Sequence, residues 1–228
     1  MHSINGNRRL GYKIASWNCN RGLLKANNDV IDSEKLVDVK LFIQEHKPHI
    51  FCVIESDLHG PNSRTYRRNI LTTETILDQL KIEGYSLHLP ETWYKYDQAR
   101  LVVYVNDDIK YKKISIDNNI NDLPTMTFEV GLGREKKTVV NFFYREWKGG
   151  IQGDSDQASQ IDRLTRQVQH WRDLTTQDRD LVILGDANLC AKSWNNPDYP
   201  SDKKQLASIV NDFLLEESLI QTVNEDRA

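Results

Sequence analysis

Apolar runs in this chain stop abruptly at short polar clusters, and that punctuation limits the fold more than any other feature. The clusters read Ser16-Trp17-Asn18-Cys19-Asn20-Arg21-Gly22, Ile54-Glu55-Ser56, Phe143-Tyr144-Arg145-Glu146-Trp147 and Gly185-Asp186-Ala187-Asn188. The run ahead of Glu55, residues 49–54, is almost entirely apolar, as expected of a strand buried on both faces. A buried strand that ends in a carboxylate or carboxamide holds that group rigidly at a sheet edge. Several such strands together can build a cleft that binds a metal ion and a phosphate.

The pattern between the clusters predicts an α/β domain. Residues 12–17, 85–89, 101–105, 111–116, 125–130, 138–143 and 180–184 read as strands, with Asn, Asp and Gly between several of them. Ser33 is placed to N-cap a helix with Leu36, Val39, Phe42 and Ile43 on its apolar side, ending near Pro48. Residues 73–80 also read as a helix. Ile161, Leu164, Val168 and Trp171 fall on one helical face, and Leu206, Ile209, Val210, Phe213 and Leu214 on another. Helices alternating with many strands predict two sheets packed face to face with helices outside.

Composition narrows the class. At 228 residues the chain fits one domain, expected over residues 12–228 after a polar leader at 1–11. A net charge of −3 excludes a uniformly basic nucleic-acid-binding surface, so any DNA contact must come from local patches. Cys19, Cys52 and Cys190 form no CxxC pair and read as structural thiols of a reducing compartment. The leader has no apolar signal-peptide core, and no stretch approaches the ~18 apolar residues of a membrane span. The expectation is an intracellular, nuclear location and no membrane partner.

Asp186 and Asn188 follow the run 181–184 at i, i+2 spacing, which sends both side chains one way if the backbone stays extended. A carboxylate there can orient or deprotonate water, and a carboxamide can donate to a phosphate oxygen. An ordinary β-turn uses the same residues. Glu55 is costly at the end of so apolar a run unless it is metal-bound, paired or at the solvent edge. Asn18 and Asn20 repeat the i, i+2 carboxamide theme beside Arg21. Tyr144 and Arg145 offer a phenol and a guanidinium suited to phosphate, or simple packing. The segment 60–68 carries Arg64 and Arg67 in a loop able to grip a DNA backbone, or merely solvated. Residues 93–96 read as core cover, with base stacking as the alternative.

Taken together, these clusters resemble the endonuclease/exonuclease/phosphatase superfamily, the DNase I-like nucleases. The family's Trp-Asn, core-strand Glu, strand-end Tyr and Gly-Asp-x-Asn motifs are matched by Trp17-Asn18, Glu55, Tyr144 and residues 185–188. The resemblance implies a four-layer α/β/β/α sandwich. It implies that Glu55, with Asn20 nearby, holds Mg²⁺ (or Mn²⁺) and that Asp186 aligns or activates the attacking water. By the same resemblance Asn18 and Asn188 bind the scissile phosphate, and Tyr144 contacts the phosphate or stabilises the leaving group. Arg145, Arg21, Arg64 and Arg67 are the expected substrate contacts. The strand end 142–145 is most similar to endonuclease domains of non-LTR retrotransposons, which implies DNA nicking that primes reverse transcription, with a fused reverse transcriptase and element RNA as partners. Two departures stand out: Asn20 occupies a position where relatives often carry Asp, and no Ser-Asp-His occurs. The expectation is therefore a domain lacking its last strands, with a catalytically incomplete binding fragment, or a nuclease of abasic DNA, RNA or phosphoinositide type, as alternatives.

Overall fold

The computed structural model describes residues 11–20, 22–27, 30–60, 73–96, 98–115, 123–131, 137–145, 157–189 and 201–220. Two four-stranded sheets pack face to face. The first contains β1 (Ile14–Asn18), β4 (Ile50–His59), β6 (Gln98–Asn106) and β5 (Tyr85–His88), in the order β1-β4-β6-β5. The second contains β10 (Arg179–Asp186), β9 (Lys137–Tyr144), β8 (Thr125–Val130) and β7 (Tyr111–Ile114), in the order β10-β9-β8-β7. A short antiparallel pair, β2 (Lys25–Asn27) and β3 (Val30–Asp32), stands apart. Helices α1 (Glu34–His46), α2 (Thr73–Leu80) and α3 (Glu91–Tyr96) belong with the first sheet; α4 (Gln157–Leu174) and α5 (Ser201–Glu216) belong with the second.

Strand alternation sorts the side chains into layers. Ile50, Cys52 and Ile54 of β4 and Leu101, Val103 and Val105 of β6 meet Met126, Phe128, Val140 and Phe142 between the sheets. Their neighbours Phe51, Val53, Val102 and Tyr104 turn outward onto Leu36, Val39 and Ile43 of α1. Period-2 strands thus serve two cores at once, and the predicted four-layer sandwich is what forms. The outer face of the second sheet is polar yet buried. Asn141 donates to Thr125 and Thr127 at 3.0 and 2.8 Å and accepts from Trp171 Nε1 at 2.8 Å, so its amide is satisfied under α4.

Each sheet has one parallel pair, β1 with β4 and β10 with β9. Each pair is joined through a helix, α1 or α4, as parallel strands require. These two βαβ units place the carboxyl ends of four strands at one seam, and those ends carry the polar clusters.

The structure corrects several boundaries. β4 does not stop at Ile54 but continues to His59 through an irregularity. Ser33 stands at the N-cap of α1 but makes no capping hydrogen bond, and the helix ends at Lys47 in the left-handed region, φ 44°. Residues 91–96 form a helix in which Trp93 is buried and Tyr94 is 64% exposed. β7 ends at Ile114, and Ile116 lies outside the described residues. Cys19 and Cys52 are buried free thiols, while Cys190 lies outside the described residues. Among the described residues no helix is long and apolar enough to cross a membrane.

Candidate active site

Asn18 ends β1, and its amide Nδ2 donates to Asp186 Oδ2 at the end of β10, 3.0 Å away, bridging the two sheets. Its Oδ1 accepts from the Asn20 backbone N–H at 2.9 Å, closing an Asx turn that puts Asn20 in the left-handed region, φ 43°. The other Asp186 oxygen, Oδ1, accepts from the Asn188 N–H at 2.7 Å. Asn188 has φ 49°, so the backbone does not stay extended and the i, i+2 alignment read from the sequence fails here. A second Asx turn replaces it. The Asn188 side chain is redirected to the carbonyl of Arg145, at 2.5 Å.

Gly185 is required for this approach. A Cβ there would sit 2.2 Å from the Phe143 carbonyl oxygen and 2.3 Å from its ring, because Phe143 folds across the strand toward Trp171. Only a residue without a side chain lets β10 lie so close to β9 at their shared end.

Glu55 stands in the irregularity of β4. Ile54 pairs with Leu101 and Leu58 with Ala99, so the residues 55–57 stand opposite Arg100 alone. Glu55 and Asp57 take φ of 55° and 42°, while Ser56 between them is buried and donates to the Ala99 carbonyl at 3.0 Å. The loop after β1 fixes this bulge: Gly22 and Leu23 donate backbone N–H groups to the carbonyls of Glu55 and Ser56 at 3.1 and 2.6 Å. The Cys19 thiol donates to the Glu55 carbonyl at 3.1 Å, and burial pushes that thiol up to about 11, so it is a packing group and not a nucleophile. A bulge re-aims a side chain, and here it half-exposes Glu55 beside Tyr144.

Tyr144 ends β9 within electrostatic reach of Asn188 and Glu55, and its ring lies 6.0 Å from the Arg100 guanidinium. Burial first, then Glu55, raises its ionisation above the ordinary phenol value; Asn188 and Arg100 oppose that shift. Asn18, Asp186 and Asn188 are therefore linked by hydrogen bonds, and Tyr144 and Glu55 stand within electrostatic reach of one another beside them.

Arg145 lies one residue further on, half-buried. Its Nε donates to the Ala187 carbonyl, its Nη2 to the Asn188 carbonyl at 2.7 Å, and its Nη1 to Gln160 Oε1 at 3.1 Å. Burial pushes its guanidinium below the ordinary value, an effect Asp186 and Tyr144 oppose. Arg21, Arg64 and Arg67 lie outside the described residues. The sequence reading missed Arg100, which pairs with Asp57, and Lys35, whose ammonium is held by the carbonyls of Cys19 and Asn20. It also missed Gln160. Gln160 had a legible signal, since it lies one turn before Leu164 on the buried stripe of α4, where a polar residue is out of place.

The donors at this seam are hard oxygens: the carboxylates of Glu55 and Asp186 and the amides of Asn18, Asn20 and Asn188. No group of three or more His, Cys, Asp and Glu side chains placed to hold a metal ion occurs among the described residues. One carboxylate with waters and substrate phosphate suits Mg²⁺ or Mn²⁺, while a zinc site would want imidazole or thiolate. The residues fit a magnesium-type ion.

The chain belongs to the endonuclease/exonuclease/phosphatase family, which matches residues 15–222, and its fold is DNase I-like. No curated protein sequence matches it. Among solved structures it is similar to the endonuclease domain of TRAS1, a telomere-specific non-LTR retrotransposon, with 13% identity and TM-score 0.50 over 89% of this chain and 72% of that one. It is also similar to the AP endonuclease LMAP from Leishmania major, with 12% identity and TM-score 0.56 over 90% of this chain and 66% of that one. An AP endonuclease from Archaeoglobus fulgidus gives 15% identity and TM-score 0.51 over 96% and 80%. At these identities the likeness shows the fold, and the site rests on this chain's own geometry.

Proposed function

We propose that the chain hydrolyses DNA phosphodiester bonds, with water attacking phosphorus directly, and that it nicks DNA as the endonuclease of a non-LTR retrotransposon. The observation that carries this reading is the hydrogen-bonded set Asn18, Asp186 and Asn188 at the carboxyl ends of two βαβ units, with Tyr144 and Glu55 within electrostatic reach of one another beside it. Asp186, held at both oxygens, is oriented to align water and take its proton. One hydrogen of the Asn18 amide holds Asp186, and the other is the donor for a phosphate oxygen. The Tyr144 hydroxyl, within electrostatic reach of Asn188 and Glu55, supplies its proton to the leaving oxygen. Glu55, with Asn20 beside it, would hold Mg²⁺ or Mn²⁺, which when bound offsets charge developing on the phosphate oxygens. The retrotransposon role adds a fused reverse transcriptase, element RNA and a nuclear site of action; the strand end 142–145 and the fold shared with TRAS1 support it.

Supercoiled plasmid with Mg²⁺ tests the activity. Asp186→Ala and Glu55→Ala should each slow nicking by about 10³-fold, the usual scale for losing a catalytic acid–base group or its partner charge. Equal nicking by both variants and the parent chain would sink the assignment. A duplex with one abasic site, run in parallel, separates general nicking from the damage-directed activity of the AP endonucleases that share the fold.

A further inference from the structure

We propose that Arg145 is a positioning residue, not a phosphate contact: with Gln160 of α4 it braces the left-handed turn that aims Asp186. This rests on the phosphodiesterase reading above and changes the role expected of Arg145 within it.

Three guanidinium nitrogens are committed inward. Nε and Nη2 hold the carbonyls of Ala187 and Asn188, the two residues that follow β10, and Nη1 holds Gln160. The Arg145 carbonyl accepts the Asn188 amide at 2.5 Å, and its N–H continues the strand ladder to the Asp186 carbonyl at 2.9 Å. Main chain and side chain of one residue therefore grip the turn from both sides. What the grip secures is a backbone that a non-glycine residue rarely adopts, φ 49° at Asn188, and through it the N–H that holds Asp186 Oδ1. Released, the turn can relax and carry that N–H away from the carboxylate.

Gln160 shows that the brace has been favoured over local satisfaction. It is only 7% exposed, and its Nε2 finds no hydrogen-bond partner among the described residues, while its Oε1 is spent on Arg145. A buried amide donor left unmade is costly, so a leucine would serve the stripe better if packing were the only demand. Lysine cannot replace the arginine: one ammonium does not span carbonyls on two residues and a side-chain amide on a separate helix.

The experiment compares Arg145→Ala, Arg145→Lys and Gln160→Leu with the parent chain, all first checked for folding by thermal melting. A brace predicts that kcat falls, about 10²-fold in Arg145→Ala and about tenfold in Gln160→Leu, the scale of a small misplacement of a reacting group. KM for DNA and its salt dependence should stay unchanged, and added guanidinium ion should restore part of the Arg145→Ala rate. Amide hydrogen exchange at Asn188 should accelerate in all three variants. A phosphate contact predicts the reverse: KM rises, the slope of log affinity against log salt drops by about 0.9, and Gln160→Leu has no effect. That result, or unchanged exchange at Asn188, would overturn the proposal. The exchange measurement decides the brace whether or not the chain cleaves DNA, and Asp186→Ala nicking at the parent rate would refute the phosphodiesterase reading alone.

Discussion

The two sheets are joined across opposite seams, and the seams are built by opposite means. At the β1/β10 seam Asn18 reaches Asp186 through a polar contact, flanked by Asn20, Glu55, Asp57 and Asn188, four of the six non-glycine residues with positive φ among the described residues. At the β5/β7 seam His88 reaches Tyr111 at 2.8 Å within an aromatic group completed by Phe128, whose ring centroid lies 5.1 Å from that of His88. One seam concentrates unfavourable backbone and half-exposed polar groups; the other has regular strands around a fully buried phenylalanine. Strain of this kind persists only where surrounding structure imposes it. The comparison teaches that the sandwich is stabilised on one side and carries its candidate active site on the other.

The sharpest way to break that division is Phe128→Ala. Removing a fully buried ring between the sheets should cost about 3–5 kcal/mol of stability, measured by urea unfolding, while the molecules that remain folded nick DNA at the parental rate. A rate loss that exceeds the unfolded fraction would show that the seams are coupled. Next in size is Tyr144→Phe. It should lower kcat by about 10²-fold, or about 2.7 kcal/mol, with stability nearly unchanged because the ring is only half-buried. Ultraviolet titration of the parent minus the variant should show a phenol that ionises above its ordinary range. Because the folded value is raised, the stability it lends is complete below the unfolded value near 10 and is lost as pH climbs through the folded one.

Most of the sandwich was legible because period-2 and period-3.6 patterns are local. Residues 73–80 and 125–130 form the predicted elements to the residue, and three of the four polar clusters end strands that share a seam, while Glu55 lies within β4. The bulge in β4 was not legible. Leu58 returns to the interior only because loop N–H groups hold the intervening carbonyls, and those partners lie more than thirty positions earlier in the chain. Arg100 was missed because the strand was read from Leu101, although β6 begins at Gln98. The inward use of Arg145 could not be read either, since the chemistry that suits phosphate also suits a carbonyl, and only the fold decides which is near.

The smallest effect is expected at His88, and it tests whether the stabilising seam is closed to water. Burial, helped by the charge of Lys113, depresses the imidazole to about 4, and its Nε2 meets the Tyr111 hydroxyl. The folded chain therefore resists a proton that the unfolded chain accepts near 6.5. The sign follows from linkage: the contribution is complete above 6.5 and is lost progressively as pH falls toward 4. Urea midpoints of the parent chain should decline across that window more steeply than those of His88→Gln, whose amide has no such proton to exclude. The His88 ring proton, followed by NMR, should titrate near 4 in the folded state. A midpoint near 6.5 would mean water reaches the ring, and the aromatic seam would then differ from the polar one in composition but not in exclusion of solvent.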